Sequence, residues 1–216
     1  MTNVKATTPP LRVVHVIGAS SVQSGSFERH LQAVARRARV RGIELELIYP
    51  EALPDGQHAA ALAGLGVRVH VVPTASHTDV RAARRLSPIV RAADLVHGHF
   101  APACDIAAGV AALHRKPFLL TRHFLAANGP RSLHGFLTRI EGLLATRTVA
   151  VSDAVADSLE VMGVGRARIS VVPLGVDRER FSPPGAEQRR DARLRLGLDD
   201  DAKVVVSTSH HRAGKG

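Results

Sequence analysis

The sequence predicts an α/β fold in which a doubly wound, mostly parallel sheet is covered by helices on both faces. Short apolar runs alternate with stretches of helical periodicity over residues 12–173, which is the pattern of successive βαβ units. Hydrophobic residues make up 45% of the chain, aromatic residues only 3%, and tryptophan is absent. A core of Val, Leu, Ile and Ala is typical of a parallel sheet that is buried on both faces.

Seven strands are predicted from short, mostly apolar runs, several of which end at Gly or Pro. They lie at residues 12–18, 43–50, 67–73, 94–100, 118–124, 148–152 and 169–173. The crossovers between parallel strands should be right-handed. The order of the strands in the sheet does not follow from the sequence.

Helices are predicted between the strands. The first has Phe27, Leu31 and Ala35 on one face and ends near Gly42, because that spacing buries one side of a helix and Gly favours its end. Pro88 predicts an interruption of the next helix. The helices after the first are expected at residues 79–93, 103–114, 133–146 and 153–162.

The composition divides the chain into four parts. Residues 1–11 are a Pro-containing tail, expected to be flexible, and residues 12–173 form the α/β domain. Residues 174–202 are polar and charged, which is typical of a linker between domains, with a short basic helix at 186–196. A strand around Val204 predicts that residues 203–216 begin a second α/β domain.

The chain carries a formal net charge of +10, and only 4 of its 29 basic residues are lysine. This excess reflects either a general preference for arginine or an anionic partner: a nucleic acid, an anionic membrane surface or a phosphorylated substrate. Nucleic acid is disfavoured because aromatic residues are not interleaved with the basic ones. The single cysteine, the lack of an apolar signal segment and the lack of a long apolar run predict a cytoplasmic protein.

The loop at residues 18–25 precedes the first helix and contains Gly at both ends. A helix N-terminus presents free N–H groups and favours anions. The loop lacks the G-x-G-x-x-G spacing of dinucleotide-binding proteins. An ordinary helix start capped by Ser24 or Ser26 is the alternative.

Three histidines are expected near the carboxyl ends of neighbouring strands. His97 and His99 point to the same side of one strand, and His123 follows near the end of the next. A metal site is conceivable, but no cysteine and no third ligand at a fixed spacing supports it, so no metal is expected. The alternatives are ordinary polar residues at strand ends, or a substrate cleft in which imidazoles bind hydroxyl or phosphate groups. The sequence lacks a G-x-S-x-G elbow and a P-loop, and Cys104 is expected in the core.

These segments in this order resemble the amino-terminal half of family 4 glycosyltransferases, which have the two-domain GT-B fold. The matching segments are HVIG, GSFERHL, DLVHGHF, TRHF, AVSDAVADSL, VVPLGVDRERFSP and the final KG. The resemblance implies a Rossmann-like domain that holds the acceptor and the beginning of a second domain that binds a nucleotide-sugar donor. The reaction would retain the anomeric configuration and need neither metal nor cofactor, and this chain alone would be inactive. The acceptor would be a sugar, a lipid or a small molecule.

The resemblance also implies roles for individual residues. Gly25 would face the donor phosphates, with Ser26 in place of a second Gly. Lys215 would neutralise the leaving diphosphate, and Arg212 could substitute for an Arg of the family whose place is taken by Ser209-His210.

The sugar cleft implied by the resemblance has His123 as the catalytic residue, in contact with the transferred sugar. Its lining residues would be Gly18, His99, Thr121 and Ser152.

Two alternatives to this function remain at this point. The altered phosphate residues favour a non-catalytic binding or regulatory domain with the same fold. A nucleic-acid binder would lose affinity steeply with salt. The Arg-rich first helix could also bring the protein to the inner face of an anionic membrane as a peripheral protein, or simply be a solvated face.

Overall fold

A computed structural model describes residues 9–19, 25–53, 56–125 and 132–206. Most of the predicted tail and residues 207–216 lie outside this range. The chain divides into two compact units, Met1–Leu174 and Gly175–Gly216.

The first unit is built on a seven-stranded sheet with the order β3-β2-β1-β4-β5-β6-β7, in which every neighbouring pair is parallel. The strands are β1 Arg12–Ile17, β2 Glu44–Tyr49, β3 Arg68–Val71, β4 Leu95–His99, β5 Phe118–Arg122, β6 Arg147–Ala150 and β7 Ile169–Val171. All seven predicted strands are therefore present, and the predicted doubly wound α/β fold is confirmed. The direction of winding reverses between β1 and β4, and open sheets of this kind bind ligands at such a reversal.

Six helices accompany the sheet within the described residues. They are α1 Ser26–Val40, α2 Gly56–Gly64, α3 Val80–Ala92, α4 Ala103–Leu113, α5 Leu133–Leu144 and α6 Asp153–Val161. The sequence analysis missed α2, a short Ala-rich helix in which only His58 and Leu62 are buried. The predicted interruption at Pro88 is wrong, because α3 continues through it. Leu86 and Val90 on either side of Pro88 are fully buried, and their packing offsets the hydrogen bond that proline cannot donate.

The core has a separate cluster on each face of the central strands. One contains Leu31 of α1, Leu47 of β2 and Leu62 of α2. The other contains Leu86 of α3 and Phe118 of β5, together with much of α4. Since adjacent residues of a strand point to opposite faces, the odd-numbered positions 15 and 17 of β1 face α1.

The helix α5 buries small and polar residues and exposes its large apolar ones. Its buried positions are Gly135, Thr138, Glu141 and Gly142, whereas Phe136, Ile140, Leu143 and Leu144 are exposed. The periodicity that predicted this helix is present, but the apolar stripe does not face the core of the described structure.

The second unit contains the predicted basic helix, α7, at Ala186–Leu196. It ends at Gly197, whose φ of 65° is left-handed and therefore favours glycine. The predicted strand around Val204 is wrong for the described residues, since 202–206 carry no strand and Val205 is 97% exposed. A strand needs a hydrogen-bonding neighbour, and the described part of this unit contains none. No helix among the described residues is long and apolar enough to cross a membrane.

Candidate functional site

Four histidines gather where the winding of the sheet reverses, and we call His15, His97, His99 and His123 the histidine cluster. The register between β1 and β4 places His15 opposite His97 and Ile17 opposite His99. His123 directly follows β5. The cluster thus joins three adjacent strands at the carboxyl edge of the sheet, where the sequence analysis expected His97, His99 and His123 to meet.

Hydrogen bonds connect the imidazoles. His15 Nδ1 lies 3.0 Å from His99 Nε2, and His99 Nδ1 lies 3.2 Å from His123 Nε2. His97 Nε2 lies 2.7 Å from the hydroxyl oxygen of Thr121. These contacts fix the rings relative to one another and use nitrogen atoms that would otherwise be buried without partners.

Aromatic rings form a wall beside the cluster. Phe27 of α1 meets both His99 and His123 edge-on, with centroid distances of 5.3 Å. Phe100 stacks on His123 at 4.5 Å. His97 and His123 are only partly buried, whereas His15 and His99 are buried, so the arrangement leaves two imidazoles accessible.

Burial keeps the cluster uncharged. It lowers the pKa of His15 and of His123 to about 4. Burial, and then the neighbouring histidines, lower the pKa of His97 and of His99 well below the usual value. At neutral pH each ring therefore has one N–H donor and one acceptor nitrogen, which suits hydroxyl-rich ligands.

Gly18 holds the ends of β1 and β4 together. Its N–H donates to the His99 carbonyl oxygen at 2.7 Å, and a Cβ at this position would lie 2.0 Å from the Phe100 carbonyl oxygen. Phe100 has a left-handed φ of 61°, which is costly for a bulky residue and is found preferentially at functional sites. Gly18 therefore supports the site by allowing close backbone packing.

Thr121 and Ser152 occupy different positions. Thr121 is buried on β5 and binds His97, so it is part of the site. Ser152 is the N-cap of α6, and its hydroxyl oxygen accepts from the Val155 N–H at 3.3 Å. Ser152 thus caps α6 in this structure, and its place in the sugar cleft stays a prediction.

Gly25 and Ser26 lie at the start of α1, which places them at the positive end of a helix. The Gly25 N–H donates to Glu28 Oε2 at 2.7 Å, so this N–H is already engaged. Ser26 is exposed as the first residue of the helix. Lys215 and Arg212 lie outside the described residues.

The sequence analysis missed His15 and the aromatic wall. A signal for His15 was available, since it lies within a predicted strand, two residues before Ile17 and on the same face. Its use required knowing that β1 and β4 are neighbours. Arg122, next to His123, donates a hydrogen bond to the carboxyl group of Glu141 of α5. Burial and a hydrogen bond with Asp105 raise the pKa of Glu141 to about 9.

The chain is similar to known proteins in sequence and in fold. A family profile described as Glycosyltransferase Family 4 matches residues 27–180. The chain is 32% identical over 211 residues to the D-inositol 3-phosphate glycosyltransferase of Nocardiopsis dassonvillei, covering 85% of this chain and 48% of the relative.

Two solved structures share the fold. Anabaena HepE in complex with UDP-glucose aligns with a TM-score of 0.63 and 17% identity, over 87% of this chain and 50% of HepE. A glycosyltransferase from Rickettsia africae aligns with a TM-score of 0.69 and 20% identity, over 90% of this chain and 51% of that protein. The chain spans about half the length of the relatives that it matches.

Proposed function

The chain belongs to glycosyltransferase family 4, and from this membership we propose that it supplies the acceptor-holding half of an enzyme that transfers a sugar from a nucleotide-sugar donor. The observation that carries the proposal is the histidine cluster. It lies at the carboxyl edge of a GT-B Rossmann-like sheet, where the strand order reverses, and all but His15 falls within the segment that matches the family.

In this proposal His123 contacts the transferred sugar. It is partly exposed, as His97 also is, and its hydrogen bond to His99 orients the ring. The leaving diphosphate would be stabilised by the start of α1 and by basic residues, which is electrostatic stabilisation of developing charge. We further propose that transfer retains the anomeric configuration, needs no metal, and requires groups beyond this chain, so that the chain alone does not turn over.

The acceptor class follows from charge and from similarity. The 32% identical relative is a D-inositol 3-phosphate glycosyltransferase, and HepE was solved with UDP-glucose. A formal net charge of +10 favours an anionic ligand. We propose a phosphorylated polyol as acceptor and a UDP-sugar as donor.

Calorimetry with the purified chain tests acceptor binding. We expect D-inositol 3-phosphate to bind and unphosphorylated inositol to bind at least tenfold more weakly. His123→Ala should reduce the affinity at least tenfold. His114→Ala is the matched control, because His114 lies at the C-terminus of α4 and binds Ser87, away from the carboxyl edge. Equal binding by wild type and His123→Ala would contradict the proposed site.

One observation favours a non-catalytic binding or regulatory domain as a second candidate. The Gly25 N–H is held by Glu28 rather than free for a phosphate, and Ser26 adds a side chain at the helix start. This candidate predicts acceptor binding without transfer from UDP-glucose even when the complementary half of the Rickettsia protein is supplied. Transfer under those conditions, with the product anomer assigned by NMR, would exclude it.

Contact with an anionic membrane is proposed through α1. Arg29, Arg36 and Arg37 are exposed on this helix, and basic surfaces attract anionic lipid. Co-sedimentation with vesicles containing phosphatidylserine should fall several-fold in the double variant Arg36→Glu, Arg37→Glu and change little in the control Arg84→Glu, Arg85→Glu on α3. Equal binding by the two variants would contradict a specific role for α1.

A further inference from the structure

We propose that His15, His97 and His99 form a binding site for a divalent transition-metal ion of the zinc class. One ring nitrogen from each residue lies within 4.8 Å of the others. Two ligands come from alternate positions of β4 and the third from the adjacent strand β1, in a register fixed by backbone pairing. The site goes beyond the proposed transfer reaction and does not depend on it.

The third ligand, His15, could not be predicted from the sequence. His97 and His99 alone are a pair two residues apart, and such a pair does not specify a metal site. His15 precedes them by more than 80 residues, yet the parallel register sets it opposite His97, with ring centroids 4.5 Å apart. Three imidazoles on one face of two paired strands are a recognised ligand number for zinc.

The spacing fits after small movements of the rings. Zinc binds imidazole nitrogen at 2.0–2.1 Å, which in a tetrahedral site separates the ligand nitrogens by roughly 3.4 Å. The His15 Nδ1–His99 Nε2 separation is 3.0 Å, and all three ligand nitrogens lie within 4.8 Å of one another. A bound ion would replace the hydrogen bond between His15 and His99 and draw His97 inward.

Outer partners for two of the ligands are already present. A metal-binding histidine commonly uses its second nitrogen for a hydrogen bond that fixes the ring. His99 Nδ1 faces His123 at 3.2 Å, and Thr121 lies 2.7 Å from His97 Nε2. Neutral imidazole ligands favour zinc, cobalt, nickel and copper over magnesium or calcium, which prefer oxygen.

Three protein ligands leave a coordination position for water or an anion. His97 is only partly buried, so the trio has an accessible side. Zinc at this position would bind His99 Nε2 in place of His15 Nδ1, while His99 Nδ1 keeps its hydrogen bond to His123, and the ion would therefore alter the cleft in which His123 lies.

Titration of the tag-free wild-type chain with Co²⁺ tests the site directly. We expect one equivalent to give the visible absorption bands of a low-coordinate cobalt complex with nitrogen ligands, and one equivalent of Zn²⁺ to abolish them. Mg²⁺ should have no effect. Zn²⁺ should also raise the thermal midpoint of unfolding. Absence of the bands together with an unchanged midpoint would overturn the proposal without reference to any variant.

Variants assign the ligands. His97→Gln and His15→Gln should each lower Zn²⁺ affinity about 100-fold, and Thr121→Val about tenfold through loss of the outer partner. His114→Gln should bind as wild type does. Circular dichroism verifies that each variant is folded, and Thr121→Val provides a second route should the buried His15 not tolerate replacement. Unchanged affinity in folded His97→Gln and Thr121→Val would place the ion elsewhere and refute the site.

Discussion

The two ends of the central strands use polar residues in opposite ways. At the amino end, Glu46 is buried, ion-paired with Arg12 at 2.8 Å and Arg68 at 2.9 Å, and hydrogen-bonded to His70 at 2.6 Å. At the carboxyl end, the histidine cluster is linked by imidazole–imidazole and imidazole–hydroxyl hydrogen bonds. One end holds a buried charge with its countercharges, and the other holds buried groups that are kept neutral.

Their protonation differs accordingly. Burial opposes the ionisation of Glu46, but hydrogen bonds from Arg12 and His70 and the charge of Arg68 outweigh it, so the pKa of Glu46 is lowered. In the histidine cluster burial dominates and the pKa of each ring is lowered, which favours the uncharged form. The comparison shows that the same sheet stabilises one edge by satisfied charge and leaves the other edge able to exchange its partners for a ligand.

The largest expected effect is on acid stability. The folded pKa of His15 is about 4 against an ordinary 6.5, so the unfolded chain takes up protons first as the pH falls. The stabilising contribution is complete above pH 6.5 and is lost between 6.5 and 4. His123 has the same lowered pKa of about 4, and the two residues together would lower the free energy of unfolding by about 4 kcal/mol between pH 7 and pH 5.

Urea unfolding at several pH values measures this loss. Glu46 has a lowered pKa, so its contribution is lost only below its ordinary value of 4.5, and the two ends titrate in separate windows. His15→Gln should flatten the curve between pH 6.5 and 5. An equally steep curve in a folded His15→Gln variant would assign the effect to other groups.

Gly18→Ala should be the next largest effect. The added Cβ would lie 2.0 Å from the backbone oxygen of Phe100, and overpacking against backbone costs about 3 kcal/mol. The matched control is Gly109→Ala in α4, where a Cβ meets no described atom within 4 Å and the helix should be stabilised by about 0.5–1 kcal/mol. Opposite shifts of the two thermal midpoints are expected, and a wild-type midpoint for Gly18→Ala would contradict the close packing of β1 and β4.

Glu46→Ala tests the amino end. The Glu46 side chain is 5% exposed while that of Arg68 is 64% exposed, so its removal leaves partners that water can reach. We expect a loss of about 2 kcal/mol, below the range for a fully buried pair. Glu44→Ala should cost less than about 1 kcal/mol in the same urea experiment, because its 3.6 Å pair with Arg12 is solvent-exposed. Equal losses would mean that burial adds nothing at this end.

The smallest expected effect on stability is that of Ser152→Ala, which tests whether Ser152 caps a helix or binds the ligand. Ser152→Ala removes the N-cap of α6 and should cost about 1 kcal/mol of stability. Affinity for D-inositol 3-phosphate should stay at the wild-type value, in contrast to His123→Ala. A loss of affinity without a loss of stability would support the predicted role of Ser152 in the sugar cleft.

The strands and most helices could be predicted because each produces its own periodic pattern. The continuation of α3 through Pro88 and the presence of α2 could not be predicted in this way. The helix α3 continues through Pro88 because Leu86 and Val90 pack on other elements, and α2 is too short and too rich in alanine to have a distinct apolar face. The exposure of the apolar face of α5 was not predicted for a related reason. Periodicity predicts that one face of a helix is apolar, but it does not predict which face the rest of the molecule covers.

The site was predictable only in part. His97, His99 and His123 stand at the ends of consecutive strands, so their approach follows from parallel pairing. His15 joins them through the pairing of β1 with β4, which are not consecutive. The place of Gly25 in a cap with Glu28 likewise depends on the local backbone path, whereas the spacing alone showed a helix start.

The β1–β4 pairing also sets the order in which the molecule can fold. The His15–His99 contact joins residues 84 apart in sequence. The edge of β1 that does not pair with β2 can form its hydrogen bonds only after β4 has been synthesised. During synthesis β1 can align with β2 early, but its other edge stays open until about a hundred residues have emerged. Closure of that gap is the slow, entropically costly contact of this topology, and amide protection along β1 and β4 should therefore arise in the same kinetic step as the histidine cluster.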